Sequence, residues 1–265
     1  MAQLSDKPVD AADVAEYLSE SSDFAFEMQV IRVLARAGVK CMHGGTYTDP
    51  VTGLTRQFDI RAVVPETDYR LRLAIECKML GAHFPLLIHA VRRTETESFH
   101  VLLQRHKTSS MGWMAAHRIS PTGVYPKNSL VGKKTDQIGR RKTDGRLVSS
   151  DGDVFGKISQ AINSSYDLVA EAERDQGGRI HAIIPVLVVP DDTLWQVDYD
   201  EFGKVTEPGR LVTAATIFIN KNWSIGSKHK DYDYDVSHLE VTTIGALTDR
   251  FESWFDRKGI FDHDV

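Results

Sequence analysis

Two alternating stretches joined by a short link constrain this chain more than any other feature. In RQFDIRAVV (56–64), Phe58, Ile60, Ala62 and Val64 alternate with Gln57, Asp59, Arg61 and Val63. In RLRLAIECKM (70–79), Leu71, Leu73, Ile75 and Cys77 alternate with Arg70, Arg72, Ala74, Glu76 and Lys78. A period of two marks a half-buried strand, and the link PETDY makes the pair an antiparallel hairpin. Symmetric folding about that link gives partner numbers summing to 135, so Val64 meets Leu71 and Asp59 falls opposite Glu76.

That register has a chemical consequence. Directly opposed residues have Cβ atoms about 4.5–5.5 Å apart, and like charges there repel, so Asp59 and Glu76 ask for a cation between them. A hard divalent ion such as Mg²⁺ or Mn²⁺ takes carboxylate oxygens together with water and phosphate oxygen, which suits phosphodiester hydrolysis. Lys78 lies two residues after Glu76 and leaves the same strand face. It could orient or deprotonate the attacking water, or neutralise charge developing on phosphate. A one-residue slip of either strand would turn its set to the other face.

The elements around the hairpin follow from capping and periodicity. Residues 9–20 read as a short acidic helix. Ser21, Ser22 and Asp23 offer N-cap side chains to a second helix that runs to about Ala37 and stops at Gly38. A strand near 39–47 gives way to the turn-rich HGGTYTDPVTGL. From about 84 to 153 the pattern weakens, and GKKTDQIGRRKTDGRLVSSDGD (132–153) reads as a mobile loop within an insertion. A helix is expected over 154–174, then a fully apolar strand, IHAIIPVLVVP (180–190), which belongs inside a sheet. Strands at WQVDYD (195–200) and LVTAATIFIN (211–220) and a C-terminal helix over 243–259, stopped by Gly259, complete the chain. The expectation is one α/β domain, 1–265, with its core at about 20–80 and 154–220.

Composition narrows the class. With 265 residues, 42% hydrophobic, 19 Gly, 9 Pro and 2 Cys, the chain can bury a sizeable core and is no collagen, disordered or disulfide-scaffold sequence. No apolar run approaches the roughly 20 residues of a membrane span, and MAQLSDKPVDAADVAEYL lacks the basic and apolar regions of a signal peptide. The expectation is a cytoplasmic protein without a membrane partner, its Cys41 and Cys77 reduced. The net charge of -5 hides an uneven distribution: residues 92–146 hold 12 Lys or Arg against 4 acids, a net of +8, and the remainder holds 20 against 33. Lys133, Lys134, Arg140, Arg141 and Lys142 lie in that basic block, where they would neutralise nucleic-acid phosphates without reading sequence; a solvated loop is the alternative. Glu27 shares a helical stripe with Val30, Ile31 and Leu34, and a carboxylate bordering a buried stripe is costly unless it is paired or meets a metal.

Helix acid Glu27, Asp59 within QFDIRA and the ExK of LAIECK together resemble the PD-(D/E)xK nuclease superfamily, the restriction-endonuclease-like fold. The resemblance covers residues 20–80 well and 154–190 more loosely. It implies a core of helix, three strands, helix and strand, with a mixed central sheet flanked by helices, carrying the basic insertion and C-terminal additions. It also implies a Mg²⁺- or Mn²⁺-dependent DNA endonuclease, in restriction, repair or defence. Asp59, Glu76 and the backbone carbonyl of Cys77 would ligate the metal and Lys78 would be catalytic. Glu27 would match the helix acid of branches resembling Mrr-type restriction enzymes and Holliday-junction resolvases. Lys157, Gln160 and Tyr166 loosely resemble helix positions of the RecB-like branch and would be accessory. Phe58 replaces the literal Pro of the motif, and Asp49-Pro50 lies in a turn outside it. A homodimer would permit a double-strand cut, by family analogy alone. The residues leave open a non-catalytic DNA-binding or assembly module, an RNase of the same fold, and a site that is only a solvated strand face. HKDYDYD (229–235) reads as an acidic surface loop, since it lacks the glycine and terminal glutamate of a calcium loop.

Overall fold

The hairpin is present and lies within a large mixed sheet. The computed structural model describes residues 6–20, 22–65, 68–105, 113–119, 123–150, 152–175, 179–225 and 232–255. In chain order the elements are α1 (Ala11–Glu20), α2 (Phe24–Arg36), β1 (Lys40–Thr48), β2 (Thr55–Pro65), β3 (Tyr69–Cys77), β4 (Leu86–Arg92), β5 (Phe99–Arg105), β6 (Trp113–Ile119), β7 (Leu130–Arg140) and β8 (Leu147–Ser150). There follow α3 (Gly152–Glu173), β9 (Ile180–Val189), β10 (Leu194–Tyr199), β11 (Val205–Leu211), β12 (Ala214–Ile225), β13 (Tyr232–Thr243) and α4 (Leu247–Phe255). Among the described residues 13 strands make one sheet, ordered β1-β2-β3-β9-β13-β12-β7-β4-β10-β11, with β5 joining β9 to β6 and β8 attached to β7. No described helix is long and apolar enough to cross a membrane.

β2 and β3 pair antiparallel with Val64 opposite Leu71 and Ile60 opposite Ile75, the register read from the link. β3 then runs parallel to β9, whose side chains are buried from His181 to Val189. Alternation along β9 sorts its side chains to two faces. Ala182, Ile184, Val186 and Val188 pack in one core with Val30 and Leu34 of α2 and with Phe251 and Trp254 of α4. On the other face Leu187 and Val189 meet Val154, Ile158 and Ala161 of α3, and Ile183 meets Leu168 and Val169 further along the same helix. The architecture is therefore α/β, a mixed sheet flanked by helices.

Local signals account for the ends of α2. Gly38 has φ +73°, and the N–H of Gly38 bonds the carbonyl of Ala35 (3.0 Å) while that of Val39 bonds Leu34 (2.9 Å), a Schellman turn. At the other end Asp23 occupies the N-cap position but makes no capping bond with its side chain. Ser21 lies outside the described residues.

Several expectations need correcting. The supposed mobile loop contains β7, paired with β4 on one side and β12 on the other, and forms a hairpin with β8. β7 hides its strand pattern because glycines stand where side chains of its neighbours pack. A Cβ on Gly132 would come within 2.8 Å of Ile88 and 3.1 Å of Ile217, and one on Gly139 within 2.6 Å of Phe84. Residues 84–153 thus supply β4 to β8 of the sheet. The acidic loop is also a strand in its described part: Tyr232–Asp235 begin β13, where Asp233 accepts from Ser224 (2.9 Å) and Asp235 from Asn222 (2.8 Å) of β12. The C-terminal helix begins later than expected, because Thr243 still belongs to β13 and a 3₁₀ turn, Ile244–Ala246, precedes α4. Residues 256–259, with the expected stop at Gly259, lie outside the described residues.

α2 is held by its apolar stripe. Replacing Leu34, fully buried, by Ala should cost about 2–5 kcal/mol in urea unfolding. Met28→Ala, on the exposed side of the same helix, should stay within about 0.5 kcal/mol.

Candidate active site

Asp59 and Glu76 stand side by side on neighbouring strands, on the sheet face that α3 covers. The N–H of Asp59 points toward Glu76 Oε1 at 3.4 Å, and the N–H of Cys77 donates to Asp59 Oδ2 at 2.8 Å. Glu76 is fully buried and Asp59 nearly so. Two carboxylates removed from water need a positive charge between them, and Lys157 of α3 provides it. Its Nζ lies 2.7 Å from Asp59 Oδ2 and 3.4 Å from Glu76 Oε2.

The electrostatics are those of a coupled trio. Burial, then the Asp59 charge, pushes the Glu76 carboxyl well above its ordinary value, with Lys157 pulling the other way. Burial alone would lower Lys157, but Asp59 and Glu76 outweigh it and hold the ammonium more firmly protonated than a free lysine. Tyr47, on the neighbouring β1, is pushed up to about 12, chiefly by burial and then by Asp49 and Glu76, and stays a neutral phenol.

The other sequence-derived residues are placed differently. β3 ends at Cys77, so Lys78 leaves the strand, and its ammonium turns to Asp23 Oδ2 at 3.4 Å. Asp23 also accepts from the N–H of Met79 at 2.7 Å, which explains its missing capping bond. Glu27 accepts from His43 Nε2 at 2.8 Å; its partner is this histidine of β1. Cys77 is a buried free thiol in the core that faces α2, and burial pushes its pKa well above the ordinary value. Gln160 donates to the carbonyl of Gln57 and fixes α3 against β2. Tyr166 meets Trp223 edge-on, ring centroids 5.5 Å apart, in the core beneath α3.

The basic block lies elsewhere. Lys133, Lys134 and Arg140 are on β7, and Arg141 and Lys142 open the turn to β8. Lys133 is paired with Glu97, Lys134 with Asp136 (2.8 Å) and Arg141 with Asp144 (3.5 Å), while Arg140 donates to the carbonyl of Gly145 (3.1 Å). None of the five lines the cleft that contains Asp59.

That cleft has a volume of about 970 Å³, with Glu27, Tyr47, Asp59 and Lys157 among its walls. The signal for Lys157 is present in the sequence: it sits three residues after Val154 and four before Ala161, on the buried stripe of α3. Among the described residues no group of three or more His, Cys, Asp or Glu side chains gathers to hold a metal ion. Two adjacent carboxylates facing a single cation nevertheless fit Mg²⁺, which uses one or two carboxylates and keeps several waters. The ammonium of Lys157 marks the place such an ion would compete for.

No protein-family model, curated protein or solved structure matches this chain.

The raised Glu76 pKa has a definite sign in stability. A carboxyl raised in the fold contributes stability that is fully present below the ordinary value of 4.5 and is lost as pH rises through the folded value. Urea unfolding of metal-free protein from pH 4 to pH 8 should therefore show wild-type stability falling relative to Glu76→Gln. A constant difference across that range would contradict the burial of an ionisable Glu76.

Proposed function

We propose that the chain is a metal-dependent phosphodiester hydrolase, an endonuclease acting on DNA from a restriction-endonuclease-like core. The observation that carries this reading is the buried Asp59–Glu76 pair with an ammonium 2.7 and 3.4 Å from its oxygens. The chain order α2, β1, β2, β3, then α3 and β9, with β3 and β9 parallel, supports the core assignment. Between the two parts of that core run β4 to β8.

In this reading Asp59 and Glu76 hold Mg²⁺ or Mn²⁺, with the Cys77 carbonyl as a further oxygen donor. Bound there, the metal would polarise a phosphoryl oxygen and lower the pKa of a coordinated water. The Cys77 N–H orients the Asp59 carboxylate. Lys157, displaced from the carboxylates, is placed to neutralise charge on a phosphate oxygen. Lys78, held by Asp23, has the same chemistry one step further out. Arg140 at the end of β7 and Lys142 in the turn that follows, both exposed, are the cations of the basic block offered to a nucleic-acid backbone. A second copy of the chain would allow both strands to be cut.

One observation favours a second reading, a non-catalytic DNA-binding or assembly module: Lys157 already answers both carboxylates. Incubation of supercoiled plasmid, single-stranded DNA and RNA with Mg²⁺ separates the two. Wild type should cut, and Asp59→Asn and Glu76→Gln should each lose at least about 100-fold. Lys157→Met should lose more than Lys78→Met. Equal cutting by all variants, or none by any including wild type, would sink the hydrolase and leave the module.

A further inference from the structure

Three large aromatic side chains stand in water around the mouth of the Asp59 cleft. Tyr17 of α1 is 60% exposed, Phe24 at the start of α2 59% and Phe155 in the first turn of α3 62%. All three line the same cleft as Asp59 and Lys157. They come from three separate elements, so no single amphipathic helix explains their convergence. Phe24 is also positioned by His43, with ring centroids 5.5 Å apart and planes tilted 48°.

The cleft is lined between them by polar side chains, among them Gln57, Asp59, Lys157 and Asn163. A docking surface for an apolar protein face would not be lined by buried charge. Aromatic rings and polar side chains lining one cleft instead match the way unpaired nucleobases are held. Every base has a π-face to stack on an aromatic ring, whereas in a duplex those faces are covered by neighbouring pairs. The volume of about 970 Å³ is that of a small-molecule site rather than of a groove for a length of helix.

We infer that this cleft takes an unpaired nucleobase, so that the preferred substrate is single-stranded or strand-displaced nucleic acid and not an intact duplex. The inference deepens the hydrolase reading and rests on it for the reaction, while its binding claim can be measured without any cutting. Tyr17, Phe24 and Phe155 are binding residues here, supplying stacking platforms beside the carboxylates.

The test is fluorescence anisotropy with labelled oligonucleotides, single-stranded, fully duplex, and duplex with a single-stranded flap, in EDTA and in Ca²⁺. The full chain is compared with Tyr17→Ala, Phe24→Ala, Phe155→Ala and, as an exposed aromatic outside this cleft, Phe202→Ala. All four positions are exposed, so unchanged melting curves are expected to accompany the binding data. Single-stranded and flapped DNA should bind at least about tenfold tighter than duplex. The three rim variants should each weaken single-strand binding about 5- to 100-fold, and Phe202→Ala should not. Equal affinity for duplex and single strand, or rim variants that bind like wild type, would overturn the inference. A change in sedimentation of the rim variants without a change in DNA binding would overturn it too, by making the rim a protein contact. Mg²⁺-dependent cutting of duplex that survives in the rim variants leaves the hydrolase standing and removes the base-binding claim. Rim-dependent binding of single strands by a wild type that cuts nothing does the reverse.

Discussion

The buried trio of Asp59, Glu76 and Lys157 is the interaction on which the rest of the arrangement depends. Two carboxyls and one ammonium removed from water are tolerable only because the ammonium bonds both carboxyls while burial and the Asp59 charge bias Glu76 toward its neutral form, and each comes from a different element: β2, β3 and α3. The same helix is tied to the sheet at its far end. Arg61 of β2 pairs with Asp167 and Glu171, both at 2.9 Å, and Arg72 of β3 reaches Glu171 at 3.2 Å. Apolar contacts fill the space between these two ionic ends. α3 is therefore fixed in register as well as in depth, and that register delivers Lys157 to the carboxylates. A buried ion pair of this kind is weak as a source of stability and strong as a source of geometry, since any other seating of the helix would leave a charge unpaired.

β9 performs the complementary task. Buried along its length, it separates the face packed by α2 and α4 from the face packed by α3. It also positions the end of β3, because the N–H of Lys78 bonds the carbonyl of Val188 at 3.0 Å beyond the last strand residue. The chain turns there, and Lys78 swings to Asp23 rather than staying beside Glu76. The acid that starts α2, the lysine that follows β3 and the N–H of Met79 form one small knot at the edge of the cleft.

Charge along the chain gives a less direct guide. The excess of cations in residues 92–146 is real as a count, yet in the fold Lys127 meets Glu95, Lys133 meets Glu97, Lys134 meets Asp136 and Arg141 meets Asp144. All four acids of the block are used in this way. Arg93, almost fully buried, donates instead to the neutral imidazole of His238 at 2.7 Å and lies over the Tyr125 ring. Burial, then Arg93 itself, holds that imidazole well below the ordinary histidine pKa. Cations that look available in sequence are thus largely committed to structure.

The sequence by itself determined the hairpin, its register and hence the juxtaposition of Asp59 with Glu76, because strand alternation and a short link are local properties that leave one symmetric pairing. It also determined the stop at Gly38, the buried character of β9 and the amphipathic span of α3. What only the tertiary structure decided is which cation answers the carboxylates. Lys78 shares their strand phase, but β3 ends one residue before it; Lys157 is 81 residues from Glu76 in the chain and arrives through helix packing. β7 and β13 were illegible for a related reason. β7 is closed by side chains resting on its glycines, Ile88 and Ile217 of neighbouring strands on Gly132 and Phe84 of the segment before β4 on Gly139, and β13 buries Ser237, His238, Glu240 and Thr242, polar residues that reveal their burial only when their partners are assembled. Local periodicity records what a segment contributes to a core, whereas the partners of a buried charge or of a bare glycine backbone are supplied by distant parts of the chain.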